Sequence, residues 1–164
     1  MTLTIKCEEK TEFEMIYHFI KEAFETAAVS DGTEQDFVNM LRVSENYIPE
    51  LALVATDNKQ LIGHIMLTKF AFKGMLLLAP LTVKLDYRHQ GVGTKLVQKA
   101  FELAKEMNYT SVVVLGDPDY YGRFGFKPSV NFGITCTNEI PSEYVQIVEL
   151  QEGALDSVNG TISF

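Results

Sequence analysis

One stretch of this sequence, from Leu76 to Met107, constrains the fold more than any other. It includes all but the first residue of the segment MLLLAPLTV (Met75–Val83), which is almost entirely apolar, as is typical of a strand covered on both faces of a sheet. After a short basic segment and two glycines, apolar residues recur with the period of an amphipathic helix. The stretch therefore predicts a buried strand, a tight connection and a helix.

Pro80 interrupts the apolar strand. Proline has no N–H to donate to a sheet, so it is tolerated only on edge strands, at strand starts or at bulges. In a central strand, a bulge at Pro80 would free backbone groups near Leu81 to Val83 from pairing, and those groups could bind an extended ligand. The alternative is an edge strand in which the proline has no further consequence.

Gly91 and Gly93 flank Val92 where the helical periodicity begins. The first turn of a helix leaves about four N–H groups without an intrahelical partner, and glycine lets an anion approach them closely. Arg88 and His89 add positive charge just before this turn. The pattern is neither a Walker A loop nor a dinucleotide fingerprint, since it lacks the glycines of both. A phosphate-binding turn of another kind and a purely structural turn both remain open.

The segments on either side predict one mixed α/β domain over residues 1–164, since no repeat or linker divides the chain. Thr11 offers an N-cap for a first helix, with Glu14 as its capping-box partner. Helices come first, then a hairpin, then a strand–helix–strand unit, which indicates a mixed sheet. The other elements are a first strand in LTIKCEE, a second helix in EQDFVNMLRVS, a hairpin around TDNKQ, a buried strand in SVVVLG, a turn in DYYGRFGF and a late strand in EYVQIVEL.

The composition excludes several classes of function. A net charge of −8 argues against a general nucleic-acid binder, which needs a basic surface. No apolar run reaches the roughly 18 residues of a membrane span, and the N-terminus lacks the pattern of a secretory signal. Cys7 and Cys136 are far apart and lack metal-ligand spacing. The sequence therefore predicts a cytoplasmic protein with reduced thiols and no metal, and without nucleic-acid or membrane partners.

The segment Arg88–Gly93 matches the R/Q-x-x-G-x-G/A pattern of the GNAT superfamily of acetyl-CoA-dependent N-acetyltransferases. The strand APLTV before it and YYGRFGF after the next strand also resemble that family, and LGDPDYYGRFGF is similar to a bacterial subgroup of predicted GNAT enzymes whose substrates are mostly undefined. The resemblance is strong from about Leu51 to Pro128. It implies a mixed, largely antiparallel central sheet, flanked by helices, with a bulged or splayed central strand.

The resemblance also implies acetyl-CoA as a co-substrate and places it along the same stretch. The amides of Gln90 to Thr94 are expected to hold the pyrophosphate of coenzyme A, aided by Arg88. The pantetheine arm and the acetyl group are expected beside the interrupted strand. The residues implied to bind the co-substrate are Leu81, Thr82, Val83, Arg88, His89, Gln90, Gly91, Val92, Gly93 and Thr94.

Acetyl transfer also needs groups that move protons. The family pattern aromatic-Tyr-x-x-x-Gly-Phe matches Tyr120 to Phe126, so the resemblance implies Tyr121 as the proton donor to the coenzyme A sulfur. The alternative for Tyr121 is an aromatic side chain that only packs in its turn.

The sequence assigns no base: a water chain is one route for the amine proton, and the candidate side chains are His64, Glu50 and Asp31. The alternative for His64 is a histidine whose hydrogen bonds are satisfied within the sheet. Asp117 is a candidate to orient Tyr121 or to bind an amine, and its alternative is a strand-end turn shaped by Pro118.

The predicted function is the direct transfer of an acetyl group from acetyl-CoA to a primary amine of an unidentified acceptor, either a small molecule or a protein. The alternative is a non-catalytic module of the same fold that binds acyl-CoA or acts through protein contacts. Acceptor specificity is expected in the loops around residues 25–50 and in the C-terminal third. A homodimer is a further expectation, because the late strand EYVQIVEL could pair across a subunit boundary.

Overall fold

The computed structural model describes residues 1–27 and 30–164, so residues 28 and 29 of the expected acceptor loop lie outside the described residues. Within the described part, no helix is both long enough and apolar enough to cross a membrane. Several short 3-10 turns link the main elements. In chain order these elements are β1 (Leu3–Cys7), α1 (Phe13–Phe24), α2 (Glu34–Arg42), β2 (Ala52–Asp57), β3 (Gln60–Lys69), β4 (Met75–Val83), α3 (Val92–Glu106), β5 (Ser111–Leu115), α4 (Pro118–Tyr121), β6 (Lys127–Pro128), β7 (Ile134–Cys136), β8 (Val145–Glu149) and β9 (Gly160–Ile162).

Seven strands form one sheet in the order β1-β2-β3-β4-β5-β8-β6. Strands β4 and β5 pair in parallel, whereas the pairs β1–β2, β2–β3, β5–β8 and β6–β8 are antiparallel. Strands β7 and β9 form a separate parallel pair. A mixed, largely antiparallel sheet flanked by helices confirms the predicted fold class. Because β4 has a neighbour on both sides, the alternative that placed Pro80 on an edge strand is wrong.

The chain divides into two compact units, of which the first comprises Met1–Thr68 and Pro80–Leu103. In this unit the apolar stripes of α1 and α2 pack on β2 and β3. The two strands join through a turn at Asn58 and Lys59, whose φ angles of 47° and 70° suit the right-handed twist of a two-residue hairpin. The core between the helices and the strands consists of Ile16, Ile20, Val38, Leu41, Ala52, Val54, Leu61 and Met66.

The second unit comprises Lys69–Ala79 and Ala104–Phe164. Here β5 pairs with the start of β4 on one side and with β8 on the other. Strand β8 also pairs with β6 at Lys127↔Ile147 and Pro128↔Gln146, so part of its second edge is occupied within the chain. The homodimer through EYVQIVEL stays a prediction.

The capping box before α1 lies two residues earlier in the sequence than predicted. The Glu12 carboxylate accepts a hydrogen bond of 2.9 Å from the Glu9 N–H, and α1 begins directly afterwards. The prediction of a Thr11 cap with Glu14 as its partner is wrong, because the acidic pair upstream already closes the turn. A carboxylate so close to a helix start also complements the partial positive charge there.

Candidate active site

Strands β4 and β5 separate partway along their length. Their parallel pairing begins at Met75↔Ser111 and ends at Leu77↔Val113. Beyond that point β5 continues to pair with β8, while β4 continues without a described β5 partner. The splayed central strand that the family resemblance implied therefore begins at Leu78.

Strand β4 also contains one residue more than a regular pairing with β3 would need. Near one end the Phe70 N–H donates to the Met75 carbonyl at 3.1 Å. Near the other end the Lys84 N–H donates to the Ile62 carbonyl at 2.8 Å. Between these bonds the chain advances eight positions from Ile62 to Phe70 but nine positions from Met75 to Lys84. An extra residue of this kind is a β-bulge, and Pro80, which has no N–H to pair, lies in the interval.

The segment Leu81–Val83, which was predicted to contact the pantetheine arm, alternates in exposure. Leu81 and Val83 are partly exposed, whereas Thr82 is only 3% exposed. The Thr82 Oγ1 atom is buried and has no hydrogen-bond partner among the described residues. Because side chains alternate across a strand, the segment presents two apolar groups on one face and an unpaired hydroxyl on the other.

The start of α3 leaves backbone donors available at an open corner. The Lys95 N–H makes the first helical bond, to the Gly91 carbonyl at 3.0 Å, so the amides of residues 92 to 94 have no acceptor within the helix. Gly91 has a φ of +84°, which favours glycine, and a Cβ atom there would meet no other atom within 4 Å. His89 also has a positive φ, of 63°, and is exposed. An open corner lined by N–H groups fits an anion such as a pyrophosphate.

Arg88 uses part of its guanidinium to hold this corner in shape. Its Nε donates to the Val83 carbonyl at 3.2 Å, and its Nη2 donates to the Ala23 carbonyl at 3.1 Å. These bonds tie the end of β4 to the last turn of α1, where carbonyl groups lack helical partners. Gln90 adds a second tie, because its side-chain amide donates to the Asp86 carbonyl at 2.9 Å. The other three of the five Arg88 N–H groups make no hydrogen bond to the residues that the structure describes.

Tyr121 lies in the second unit, where a group of aromatic rings fixes its side chain. Its ring makes edge-to-face contacts with Tyr120 and Phe126, at centroid distances of 4.9 and 5.6 Å. A Cβ atom at Gly116 would lie 2.4 Å from the Tyr121 Cε2, so the ring occupies the space that this glycine leaves. The residue as a whole is partly exposed, and its hydroxyl makes no hydrogen bond within the described residues. The ring is therefore held in one orientation while the hydroxyl keeps its hydrogen-bonding capacity.

Three of these four candidate side chains lie at turns. The Asp117 carboxylate accepts a hydrogen bond of 2.9 Å from the Asp119 N–H and so caps α4. The Thr33 hydroxyl and N–H donate to Asp31 at 2.6 and 2.9 Å, and these bonds lower the pKa of Asp31, which makes it a weaker base. Glu50 is exposed in a short 3-10 turn. The geometry singles out none of the three as a base.

The fourth candidate, His64, belongs to a buried cluster that the sequence did not reveal. At its centre the Glu8 carboxylate accepts hydrogen bonds from Arg42 Nη2 at 2.7 Å, Arg42 Nε at 2.9 Å and the Tyr47 hydroxyl at 2.7 Å. The His64 Nε2 lies 2.9 Å from the same carboxylate. The side chains of Glu8 and His64 are fully buried. No local signal marks Glu8, because its partners lie 34 to 56 residues away along the chain.

Comparison with known proteins gives this geometry a context. The model of the acetyltransferase (GNAT) family matches residues 13–126. The uncharacterized N-acetyltransferase YhbS of Escherichia coli K12 is 33% identical over 150 residues, which cover 88% of this chain and 86% of YhbS. The uncharacterized N-acetyltransferase YjhQ of the same organism is 36% identical over 127 residues, which cover 73% of this chain and 70% of YjhQ.

Two solved structures share the whole fold. The crystal structure of Escherichia coli YhbS in complex with CoA has a TM-score of 0.88 and 29% identity, and covers 99% of this chain and 89% of that one. A GNAT family acetyltransferase from Brucella melitensis, in complex with acetyl-CoA, has a TM-score of 0.81 and 26% identity, and covers 99% of this chain and 96% of that one. The family model spans more than half of the sequence, and the fold agrees with it throughout. The chain therefore belongs to the GNAT family of acetyltransferases.

Proposed function

We propose that this enzyme transfers the acetyl group of acetyl-CoA directly to a primary amine of a small molecule or a protein. The observation that carries the proposal is the open start of α3, where backbone N–H groups have no helical acceptor and Gly91 leaves space beside them. The similarity of this chain to structures that hold CoA and acetyl-CoA supports the same co-substrate.

Each segment around this corner has a proposed role in binding. The amides of Gln90–Thr94 bind the pyrophosphate, because a helix start carries a partial positive charge. Arg88 keeps the corner in shape through its two carbonyl bonds and directs its remaining N–H groups to the phosphates. His89, exposed at the corner, supplies a further polar contact. Leu81–Val83 lies beside the pantetheine arm, where the bulge leaves backbone groups for its amides.

Direct transfer requires a neutral amine, whose nitrogen attacks the thioester carbonyl while the carbon–sulfur bond breaks. A lysine-like amine has a pKa of about 10.4, so its deprotonation at pH 7 costs about 5 kcal/mol. Protonation of the leaving thiolate is easier, because a thiol has a pKa of roughly 8.5. Removal of the amine proton is therefore the larger requirement, and in this proposal that proton passes to water. The nitrogen loses a second proton as the amide forms, and water returns that proton to the group that protonates the sulfur.

Tyr121 is the proposed donor of the proton that the leaving sulfur accepts. Burial raises the pKa of its hydroxyl, with a smaller contribution from Tyr120, so the group stays protonated at neutral pH. The surrounding rings hold the side chain in one orientation, and no described residue accepts a hydrogen bond from its hydroxyl. A fixed, protonated hydroxyl without a competing acceptor suits a general acid.

Calorimetry with acetyl-CoA tests the binding corner. Gly91→Glu places a carboxylate beside the free amides, and we expect affinity to fall about tenfold or more, because the new charge repels the phosphates. Gly32→Glu is the matched control, since Gly32 also has a positive φ, of +79°, and a Cβ atom there would likewise meet nothing within 4 Å. Equal affinity in the two variants and the wild type would reject the proposed placement.

An acetylation assay tests the reaction itself. Wild-type protein is incubated with acetyl-CoA and a panel of amines that includes a polyamine, free amino acids and lysine-containing peptides. We expect amine-dependent release of CoA together with an acetylated product seen by mass spectrometry. Release of CoA with only free acetate as the product would contradict direct transfer to an amine.

A further inference from the structure

The cluster around Glu8 fixes the protonation state of His64. Burial raises the pKa of Glu8, but hydrogen bonds from His64, Arg42 and Tyr47 outweigh that effect and bring the pKa to about 2. Glu8 is therefore a carboxylate at neutral pH and only accepts hydrogen bonds. It follows that the His64 Nε2 carries a hydrogen. Burial lowers the pKa of His64, so the imidazole is neutral.

This assignment makes the other nitrogen of His64 a hydrogen-bond acceptor. A neutral imidazole carries one hydrogen, so Nδ1 offers a lone pair when Nε2 is protonated. The Nδ1 atom is buried and has no partner among the described residues. Native proteins satisfy nearly all such buried atoms with protein groups or ordered water, because an unpaired one destabilises the fold. We therefore expect a hydrogen-bond donor within reach of the His64 Nδ1.

With the extra residue of β4 at Pro80, Thr82 lies across from His64 in the sheet. Because the Lys84 N–H donates to the Ile62 carbonyl, the antiparallel register of β3 and β4 pairs Thr82 with His64. Opposed residues of this kind point to the same face, with Cβ atoms about 4.5–5.5 Å apart. The Thr82 Oγ1 atom is also buried and unpaired. Two unpaired polar atoms thus lie on one face of neighbouring strands, and neither has a partner among the described residues.

We infer that one water molecule binds between the His64 Nδ1 and the Thr82 Oγ1. The water donates one hydrogen to Nδ1 and shares a second hydrogen bond with the Thr82 hydroxyl, so both atoms are satisfied. The site is polar on both sides, as a buried water requires. The hydrogen-bonded chain then runs from Arg42 in α2 through Glu8, His64 and the water to Thr82 in β4.

The water makes His64 a positioning residue for the bulged strand. Thr82 is the middle residue of Leu81–Val83, and the importance of that segment for acetyl-CoA rests on the proposed function. A bulge lacks part of the regular strand pairing, so the orientation of its backbone depends more on side-chain contacts. By holding Thr82, the cluster fixes the direction of the neighbouring N–H and carbonyl groups that the pantetheine amides would meet.

A crystal structure of the unliganded wild type, at a resolution that shows ordered water, tests the site directly. We expect a water within hydrogen-bond distance of both the His64 Nδ1 and the Thr82 Oγ1, and we expect Thr82→Val to lose it. Thr82→Ser retains a hydroxyl and is expected to retain the water. An empty space between the two atoms in the wild type, or a direct hydrogen bond between them, would overturn the inference. This measurement needs no acetyl-CoA, so it is independent of the proposed co-substrate.

The protonation state can be measured separately by NMR. Long-range correlations between the ring nitrogens and carbon-bound hydrogens of His64 distinguish its two neutral forms. We expect hydrogen on Nε2 and a lone pair on Nδ1, unchanged across neutral pH, because burial lowers the pKa of His64 and the Glu8 carboxylate, which also binds Arg42 and Tyr47, holds the Nε2 hydrogen. Hydrogen on Nδ1 would overturn the inference, because the water could not then donate to that atom.

A double-mutant cycle tests the link to acetyl-CoA. His64→Gln keeps an N–H near the position of Nε2 but has no equivalent of Nδ1. We expect His64→Gln and Thr82→Val each to weaken acetyl-CoA binding by about three- to tenfold, and the double variant to be no weaker than the weaker single variant, because both lose the same water. Independent, additive losses would overturn the shared site.

Thr68→Val is the control for this cycle. Thr68 is a buried threonine of β3, 1% exposed, and its hydroxyl is not among the unpaired atoms. We expect this variant to bind acetyl-CoA as the wild type does. Absence of acetyl-CoA binding in the wild type would refute the proposed function alone, and the same cycle measured on the free energy of unfolding would then decide whether the water is shared.

Discussion

Gly91 and Gly116 each lie at a turn that leads into a helix, but the space around their Cα atoms is used in opposite ways. A Cβ atom at Gly91 would meet nothing within 4 Å, and the position favours glycine because of its φ of +84°. A Cβ atom at Gly116 would collide with Cε2 of Tyr121 at 2.4 Å. One turn keeps an open surface at a helix start, and the other fills its space with an aromatic ring of its own chain.

The comparison shows that the two glycines are needed for different reasons, one for its backbone conformation and the other for the space beside it. Gly91 is required by its backbone conformation, whatever binds beside it. Gly116 is required by the volume of Tyr121, so its importance depends on that ring. An open corner of amides suits a ligand that comes and goes, whereas a filled corner suits a side chain held in one orientation.

Tyr121→Phe tests whether the filled corner serves chemistry or only packing. The substitution keeps the ring against Gly116 and removes the hydroxyl, so we expect turnover to fall by about 100-fold because the leaving sulfur loses its acid. Acetyl-CoA affinity, measured by calorimetry, is expected to stay within about twofold because the ring remains. Unchanged turnover, with acetyl transfer shown to be rate-limiting, would reduce Tyr121 to a packing residue.

Low pH tests the first unit and not the Tyr121 turn, because the buried Glu8 carboxylate belongs to the first unit. Its pKa is about 2 in the folded chain against an ordinary 4.5, so its contribution to stability is complete above about pH 4.5 and is lost as the pH falls towards 2. We expect the free energy of unfolding to fall by on the order of 3 kcal/mol over that range. Denaturant titrations at several pH values measure this.

Glu8→Gln is the control for the acid experiment. It leaves Arg42 and His64 without their carboxylate, so we expect lower stability than the wild type at neutral pH and a weaker dependence on acid. An acid transition of the same size in this variant would mean that other carboxylates dominate.

Gly116→Ala measures how tightly the ring fills its corner. The new methyl group forces Tyr121 aside, and we expect a loss of about 2 kcal/mol in the free energy of unfolding. Gly122→Ala is the matched control, because a Cβ atom there would meet nothing within 4 Å and the residue has an ordinary helical φ of −55°. Combining Gly116→Ala with Tyr121→Leu is expected to recover part of the loss; no recovery would show that the ring is not the cause.

Gly91→Ala is expected to have the smallest effect, because it strains the backbone without any collision. We expect a loss of about 1 kcal/mol in the free energy of unfolding, from forcing a residue with a Cβ into a positive φ. Gly32→Ala, with a nearly equal φ and equally open surroundings, is expected to match it. A much larger loss at Gly91 alone would show that the corner is packed and so would break the contrast with Gly116.

Local patterns predicted the elements that hold the site. The apolar run of β4 was located at its observed ends, Met75 and Val83, and α3 at its start beside Gly91, because an apolar segment and a glycine-rich turn are signals within a few residues. The break in β4 followed from Pro80, whose missing N–H is a property of one residue. The binding roles of these residues stay predictions.

The features that sequence reasoning missed depend on distant partners. Glu8 looks like a member of an acidic surface segment, and only the approach of Arg42, Tyr47 and His64 makes its burial favourable. The partly occupied edge of β8 was missed because β6 contains only Lys127 and Pro128, too few residues for a pattern. The small sheet of β7 and β9 was missed for the same reason, because its two strands have three residues each and lie far apart in the chain.

The two carbonyl bonds of Arg88 have a consequence for anyone who redesigns this enzyme. They hold the last turn of α1 against the end of β4. One of the two bonds joins Arg88 to Ala23, which lies 65 positions earlier in the sequence. A lysine would preserve the charge but not the planar fork that reaches both oxygens. Replacing the loop after α1 would therefore also disturb the contact that supports the start of α3. Designs that change this loop should keep the Ala23 backbone in place.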